Sequence, residues 1–239
     1  MLKLRASDPE SITLGGEEVP VRLRRSASAK RMILRVCELT GDVKLTLPKR
    51  TSARAAERFI NENSGWLLKT RQAQSLAEQV THGGSIRFRG REYQLAFTGV
   101  SPRRVIVDEM AIQVGGPVDM APRRLLGWLK EEARGRLEES AAQHAATLGV
   151  SYERLGIGDM RSRWGSCSSA RTLKFNWRLI MAPDDILDYV AAHEVAHLLE
   201  MNHSPRFWAH VMRCCPEFDR QRKWLKSKNG QALFKVRFD

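Results

Sequence analysis

The sequence predicts an α+β fold in which a smaller β-rich N-terminal unit precedes a unit dominated by helices. Three observations carry that expectation. Up to residue 119 the chain consists largely of short alternating runs broken by Gly, Pro and Ser clusters. From Pro122 an apolar stripe (Leu125, Leu126, Leu129, Ala133, Leu137, Ala141) recurs at helical spacing as far as Leu148 and stops at Gly149. Beyond it one alternating stretch, Thr172 to Ile180, stands before helices with clear start signals. The expected units are therefore 1–119 and 120–239.

Each element has a local reason. Val19 to Leu23, Met32 to Val36 and Val43 to Leu47 alternate in the manner of strands. Pro48 closes the third, and Thr51 or Ser52 can cap a helix expected to reach about Glu78. Ala56, Phe59, Ile60, Asn63, Trp66 and Leu67 form its stripe. Gly83-Gly84 and Gly90 punctuate a further β-rich stretch, Ile86 to Val114, ended by Gly115-Gly116-Pro117. Pro183 suits a helix's first turn, and Asp184 and Asp185 complement the positive end of its dipole, so a helix is expected to about Glu200. Ser204-Pro205 signals the next.

A length of 239 residues, 42% hydrophobic and 28% charged, excludes collagen-like, disulfide-stapled and largely disordered classes. Forty basic against 27 acidic residues leave +13. Residues 1–120 hold 20 basic and 13 acidic, the remainder 20 and 14, so the excess is spread evenly and is no detachable tail. Such a surplus favours phosphate-bearing or acidic partners. Arg22, Arg24, Arg25, Lys30, Arg31 and Arg35 form a run without an acid, and strand alternation puts Arg22 and Arg24 on one face. A cationic patch and a solvated hairpin face both fit, but the interleaved aromatics of a single-strand nucleic-acid reader are missing. Cys37, Cys167, Cys214 and Cys215 lack the spacing of a zinc ribbon or a disulfide framework, which suits a reducing compartment. Neither a signal peptide nor an apolar run of about 20 residues is present, so a cytoplasmic protein without a membrane partner is expected.

The chemistry lies in His193-Glu194-Val195-Ala196-His197, the HExxH pattern. Residues four apart share a helix face, about 6 Å between β-carbons, so two imidazoles can hold one tetrahedral metal while Glu194 reaches a water on it. A catalytic zinc needs a third protein ligand. On a continuing helix His203 would point away, but Asn202 tolerates the left-handed conformation that ends helices and Ser204-Pro205 starts a new one, so a turn can aim His203 back. Glu217 is the rival third ligand, donated from a later helix. Arg163 and Arg161 precede the strand at Thr172 and are candidates to hold a substrate carboxylate, phosphate or oxyanion; a surface ion pair is the alternative for each. Asn176 can orient a histidine or a substrate carbonyl, or make a structural hydrogen bond. Asp188 and Glu200 read as solvated helix charges, Phe207 and Trp208 as core behind His203.

Arg161 to Ser168, Asn176 to Ile180 and His193 to Trp208 together resemble the YgjP-like metallopeptidase-domain family, related to the SprT-like and minimal zincin proteins. The resemblance spans nearly the whole chain and implies a zincin-like domain. It also implies zinc, one ion, at His193, His197 and His203, with Glu194 as general base, and it places the strand from Leu173 at the exposed edge beside the catalytic helix, where an extended peptide could add. The expected function is a zinc-dependent metallohydrolase, first a metallopeptidase. A nucleoside triphosphate pyrophosphatase using the same site, with zinc or another divalent ion, is the second reading. A DNA-associated protease or nucleic-acid-binding protein is the third. The partners expected are accordingly a peptide or a phosphate-bearing anion, with nucleic acid allowed by charge but lacking a reader motif.

Overall fold

A computed structural model describes residues 11–14, 16–36, 42–72, 78–160 and 163–238. The chain divides after Ala77 into two compact units, not at the expected 119/120.

In the first unit, β1 (Ser11–Leu14), β2 (Glu17–Ser26), β3 (Ile33–Val36) and β4 (Val43–Pro48) form a sheet of order β1-β2-β4-β3, with β2 and β4 parallel. Alternation gives the sheet one apolar face: Val19, Val21, Val43, Leu45 and Leu47 are buried with Ala56, Ile60 and Leu67 of α1 (Ala53–Glu62) and α2 (Ser64–Gln72). One helix was expected here. It breaks at Asn63, whose Nδ2 donates to the Phe59 carbonyl at 2.7 Å, and the break leaves Trp66 48% exposed instead of on the stripe. Glu78, the expected helix end, starts a strand.

The second unit begins with β5 (Glu78–Gln79) and a sheet of order β6-β7-β9-β8, built from β6 (Ser85–Phe88), β7 (Arg91–Phe97), β8 (Val105–Val107) and β9 (Ala111–Val114). The long helix α3 (Ala121–Leu148) follows, ended by Gly149 in the left-handed conformation at φ 70°. Then come β10 (Arg154–Gly158), β11 (Gly165–Cys167), β12 (Thr172–Asn176), a 3-10 turn over Trp177–Met181, and α4 (Asp184–Ala196). Helices α5 (Pro205–Cys214), α6 (Phe218–Lys226) and α7 (Lys228–Ala232) lead to β13 (Val236–Arg237), which pairs with β5.

The sheet of β6 to β9 belongs here because its inward side chains, Phe88, Leu95, Ile112 and Val114, share one core with Leu125, Leu129 and Leu137 of α3 and with Trp177. The Arg89 N–H donates to the Ile180 carbonyl at 2.8 Å. Gly90 packs so closely on Pro183 that a β-carbon would stand 3.0 Å from it. Alternating side chains identify a strand but not the core it serves, which is why the boundary falls about forty residues earlier than composition suggested. Among the described residues no helix is long and apolar enough to cross a membrane.

Helices α3 and α4 are joined by a half-buried polar cluster. The Ser140 hydroxyl donates to Asp188 Oδ1 at 2.5 Å, and His144 Nε2 lies 2.8 Å from the same oxygen. Burial alone would discharge His144, but hydrogen bonds with Asp188 and Cys214 overcome it and hold its pKa up at about 9. Burial likewise opposes the Asp188 charge, which His144 and Ser140 restore, leaving that carboxyl below its ordinary value. The stabilisation from His144 is thus complete below its unfolded pKa of 6.5 and is lost as pH rises through about 9. The span between those values corresponds to about 3 kcal/mol. Urea unfolding should show that loss between neutral pH and about 9 or above, and His144→Gln should remove it; an unchanged pH dependence in the variant would refute the assignment.

Candidate metal centre

Helix α4 ends at Ala196, a turn before the expected Glu200, with His197 as its C-cap. Four-residue spacing still puts the His193 and His197 rings on one face, 5.0 Å between centroids. The chain then reverses. Asn202 does this without the left-handed conformation expected of it: its Oδ1 accepts the Ser204 N–H at 3.0 Å, and Ser204 Oγ accepts the Phe207 N–H at 3.3 Å to start α5 at Pro205. The reversal returns His203 to the helix, its Nε2 standing 3.2 Å from His193 Nε2.

One ligand nitrogen from each of His193, His197 and His203 lies within 4.8 Å of the others. Phe207, fully buried, is their floor, its ring 4.9, 4.4 and 4.8 Å from the three imidazoles. Trp208 stacks on Phe218 at 5.1 Å, and the Arg222 guanidinium lies 4.6 Å over its ring. The reading of Phe207 and Trp208 as core behind His203 agrees with this packing.

The electrostatics suit a cation. Burial, helped by His197, His203 and Arg222, lowers the His193 pKa to about 3; burial also lowers that of His197. Both imidazoles are therefore neutral at pH 7, the form that donates a lone pair. His197 Nδ1 is 3.0 Å from the Glu200 carbonyl, which fixes that nitrogen as the N–H and leaves Nε2 for an ion. His193 Nδ1 is buried with no hydrogen-bond partner among the described residues. Three imidazole nitrogens converging in this way fit a tetrahedral ion with an open fourth position. Glu217 is not part of the group: it is exposed at the start of α6 and pairs with Arg220 at 3.4 Å.

Glu194 is 6% exposed on the inward face of α4. Burial lifts its pKa to about 8, against a smaller opposing pull from Arg163. It lies hard against Gly165, the first residue of β11. A β-carbon on Gly165 would stand 2.6 Å from Glu194 Cγ and from Oε1. A glycine inside a strand pattern is the available sequence signal of such a close approach.

The neighbours divide unevenly. Arg163 is exposed, and Arg161 lies outside the described residues. Asn176 is fully buried, and its Nδ2 donates to the carbonyls of Met160 at 2.6 Å and Arg163 at 3.3 Å while Oδ1 accepts the Arg178 N–H. It fastens the loop before β11, with no imidazole among its partners. The sheet order is β10-β12-β11, so the strand from Thr172 is paired on both sides and β11 is the edge beside α4. That corrects the expected edge strand: the resemblance picked the longer alternating run, and the three-residue β11 carries no periodic signal. Asp188, expected to be solvated, is held by Ser140 and His144.

No curated protein matches the sequence. Two solved structures resemble the chain in part. The metallopeptidase zymogen abylysin of Pyrococcus abyssi is 20% identical over 38% of this chain and 93% of its own, with a TM-score of 0.33. The metallopeptidase zymogen jannalysin of Methanocaldococcus jannaschii is 18% identical over 38% of this chain and 97% of its own, also at 0.33. The family model of the YgjP-like metallopeptidase domain matches residues 30–228, and with five-sixths of its length so matched the chain belongs to the YgjP-like metallopeptidase-domain family, a family of hydrolases.

Proposed function

We propose that the protein is a zinc-dependent peptidase with Glu194 as its general base. The convergence of His193, His197 and His203 beside a buried carboxyl carries this reading. Imidazole donors suit zinc, whereas magnesium and calcium prefer oxygen. When bound, zinc polarises a carbonyl and lowers the pKa of water. Glu194 takes the proton of the attacking water and passes it to the departing amine, and its burial makes it a stronger base than a surface carboxylate. Arg163, whose charge acts on Glu194, holds a substrate carbonyl or carboxylate. The β11 edge supports a peptide in preference to a compact substrate: an extended chain added there would run beside Gly165 and so past Glu194.

The test is metal analysis coupled to a substrate screen. Purified protein should hold one zinc per chain, and His203→Ala should weaken binding at least about 100-fold with the fold retained. Zinc-loaded enzyme should cleave members of a peptide library, lose that activity to a chelator and regain it with zinc. Hydrolysis of nucleoside triphosphates without any peptide cleavage would overturn the peptidase reading in favour of the phosphohydrolase.

A further inference from the structure

The sheet of the first unit has a second face. Its register aligns Arg22 of β2, Lys44 of β4 and Arg35 of β3 in one row across three strands, with Arg24, Thr46 and Ile33 in the next row of the same face. The alternate rows, Val21-Val43-Val36 and Leu23-Leu45-Leu34, point to the side on which the core with α1 and α2 lies. Arg22, Arg24, Arg35 and Lys44 are all exposed. Adjacent strands are about 4.8 Å apart, so the first row sets three cations within about 10 Å. Like charges directly opposite one another destabilise a sheet. The described acids that share the face are few: Asp42, 3.2 Å from Arg22, and Glu18, which accepts a hydrogen bond from Ser11. The cationic character extends past the row, since Val19 to Val36 holds six basic residues and Val43 to Ala56 four, with no acid in either stretch.

We infer that this face is a docking surface for the phosphate backbone of duplex nucleic acid. A rigid grid of cations, three of the four being arginines, matches repeated phosphates, each of which an Arg fork can bind through two N–H groups. None of the large apolar side chains exposed among the described residues lies on these strands, so the face lacks the wedge that anchors a protein in a lipid interface. It also lacks the aromatic platforms on which unpaired bases stack, which favours a duplex over a single strand. Contacts to phosphate alone bind without regard to sequence and release counterions, so binding through this face is steeply salt-dependent. The inference rests on the first unit's register and is independent of the metal centre.

The test uses the full-length protein and a fluorescent DNA duplex of about 20 base pairs, titrated between about 50 and 200 mM salt. The variant Arg22→Gln/Arg24→Gln/Arg35→Gln/Lys44→Gln should bind at least about 10-fold more weakly, with the slope of log affinity against log salt reduced by about 3.6. A control variant, Arg123→Gln/Lys223→Gln/Lys226→Gln/Lys228→Gln, removes the same charge from exposed sites of the second unit and should keep most of the affinity. Relief of like-charge crowding predicts that the first variant melts no lower than wild type; should it fail to fold, Arg24→Gln/Arg35→Gln is measured in its place, with a slope change of about 2. Equal losses in both variants would reduce the effect to bulk charge and overturn the inference. So would absence of duplex binding at the lowest salt, or tighter binding through the same residues to vesicles of about 30% phosphatidylserine in phosphatidylcholine.

Discussion

Glu194→Gln is expected to lower kcat by about 10³-fold while metal binding is unchanged. Glutamine has the shape of the carboxyl but no basicity, so the loss isolates proton transfer from packing. The variant also carries a stability signature with a definite sign. The Glu194 carboxyl, at about 8 in the folded metal-free chain against an ordinary 4.5, binds its proton more tightly folded than unfolded. Folding stability of the metal-free wild type should therefore fall as pH rises from about 4.5 to 8 through this group, and the neutral glutamine removes that loss. Metal-free Glu194→Gln should melt at or above wild type at neutral pH. A variant with full activity, or one that melts well below wild type, would show that Glu194 serves packing and not proton transfer.

Gly165→Ala is expected to cost about 100-fold in kcat with little change in KM. The added methyl would stand 2.6 Å from Glu194 Cγ and Oε1, so the carboxyl must move, and a shift of about 1 Å in a catalytic group has an effect of that size. Overpacking should also cost about 1–3 kcal/mol of stability. Because both substitutions act through one carboxyl, Gly165→Ala combined with Glu194→Gln should be scarcely slower than Glu194→Gln alone. Additive losses would mean that Gly165 acts elsewhere, for example on the β11 edge itself.

The parts of this protein that its sequence discloses are those in which neighbours in the chain are neighbours in space. The periodicity of α3, the four-residue spacing of His193 and His197, and the Ser204-Pro205 signal that brings His203 back are all local, and each matches the structure. What escaped depends on contacts between distant segments. Gly165 meets Glu194 across 29 residues, and His144 meets Asp188 across 44. The sheet of β6 to β9 looks like any other strand-rich stretch until its inward side chains find α3. Asn63 divided a helix by turning its amide back onto the main chain, a competition with helical pairing that residue type permits but does not announce.

The turn between α4 and α5 has a thermodynamic consequence. It confines all three histidines to eleven consecutive residues, 193 to 203, so an ion that joins them closes only a short segment of chain. The entropy lost in closing such a loop is small and independent of how the sheets of the second unit are assembled. An ion at these nitrogens therefore acts as a staple on one helical hairpin, and little of its affinity is spent on gathering distant parts of the polypeptide.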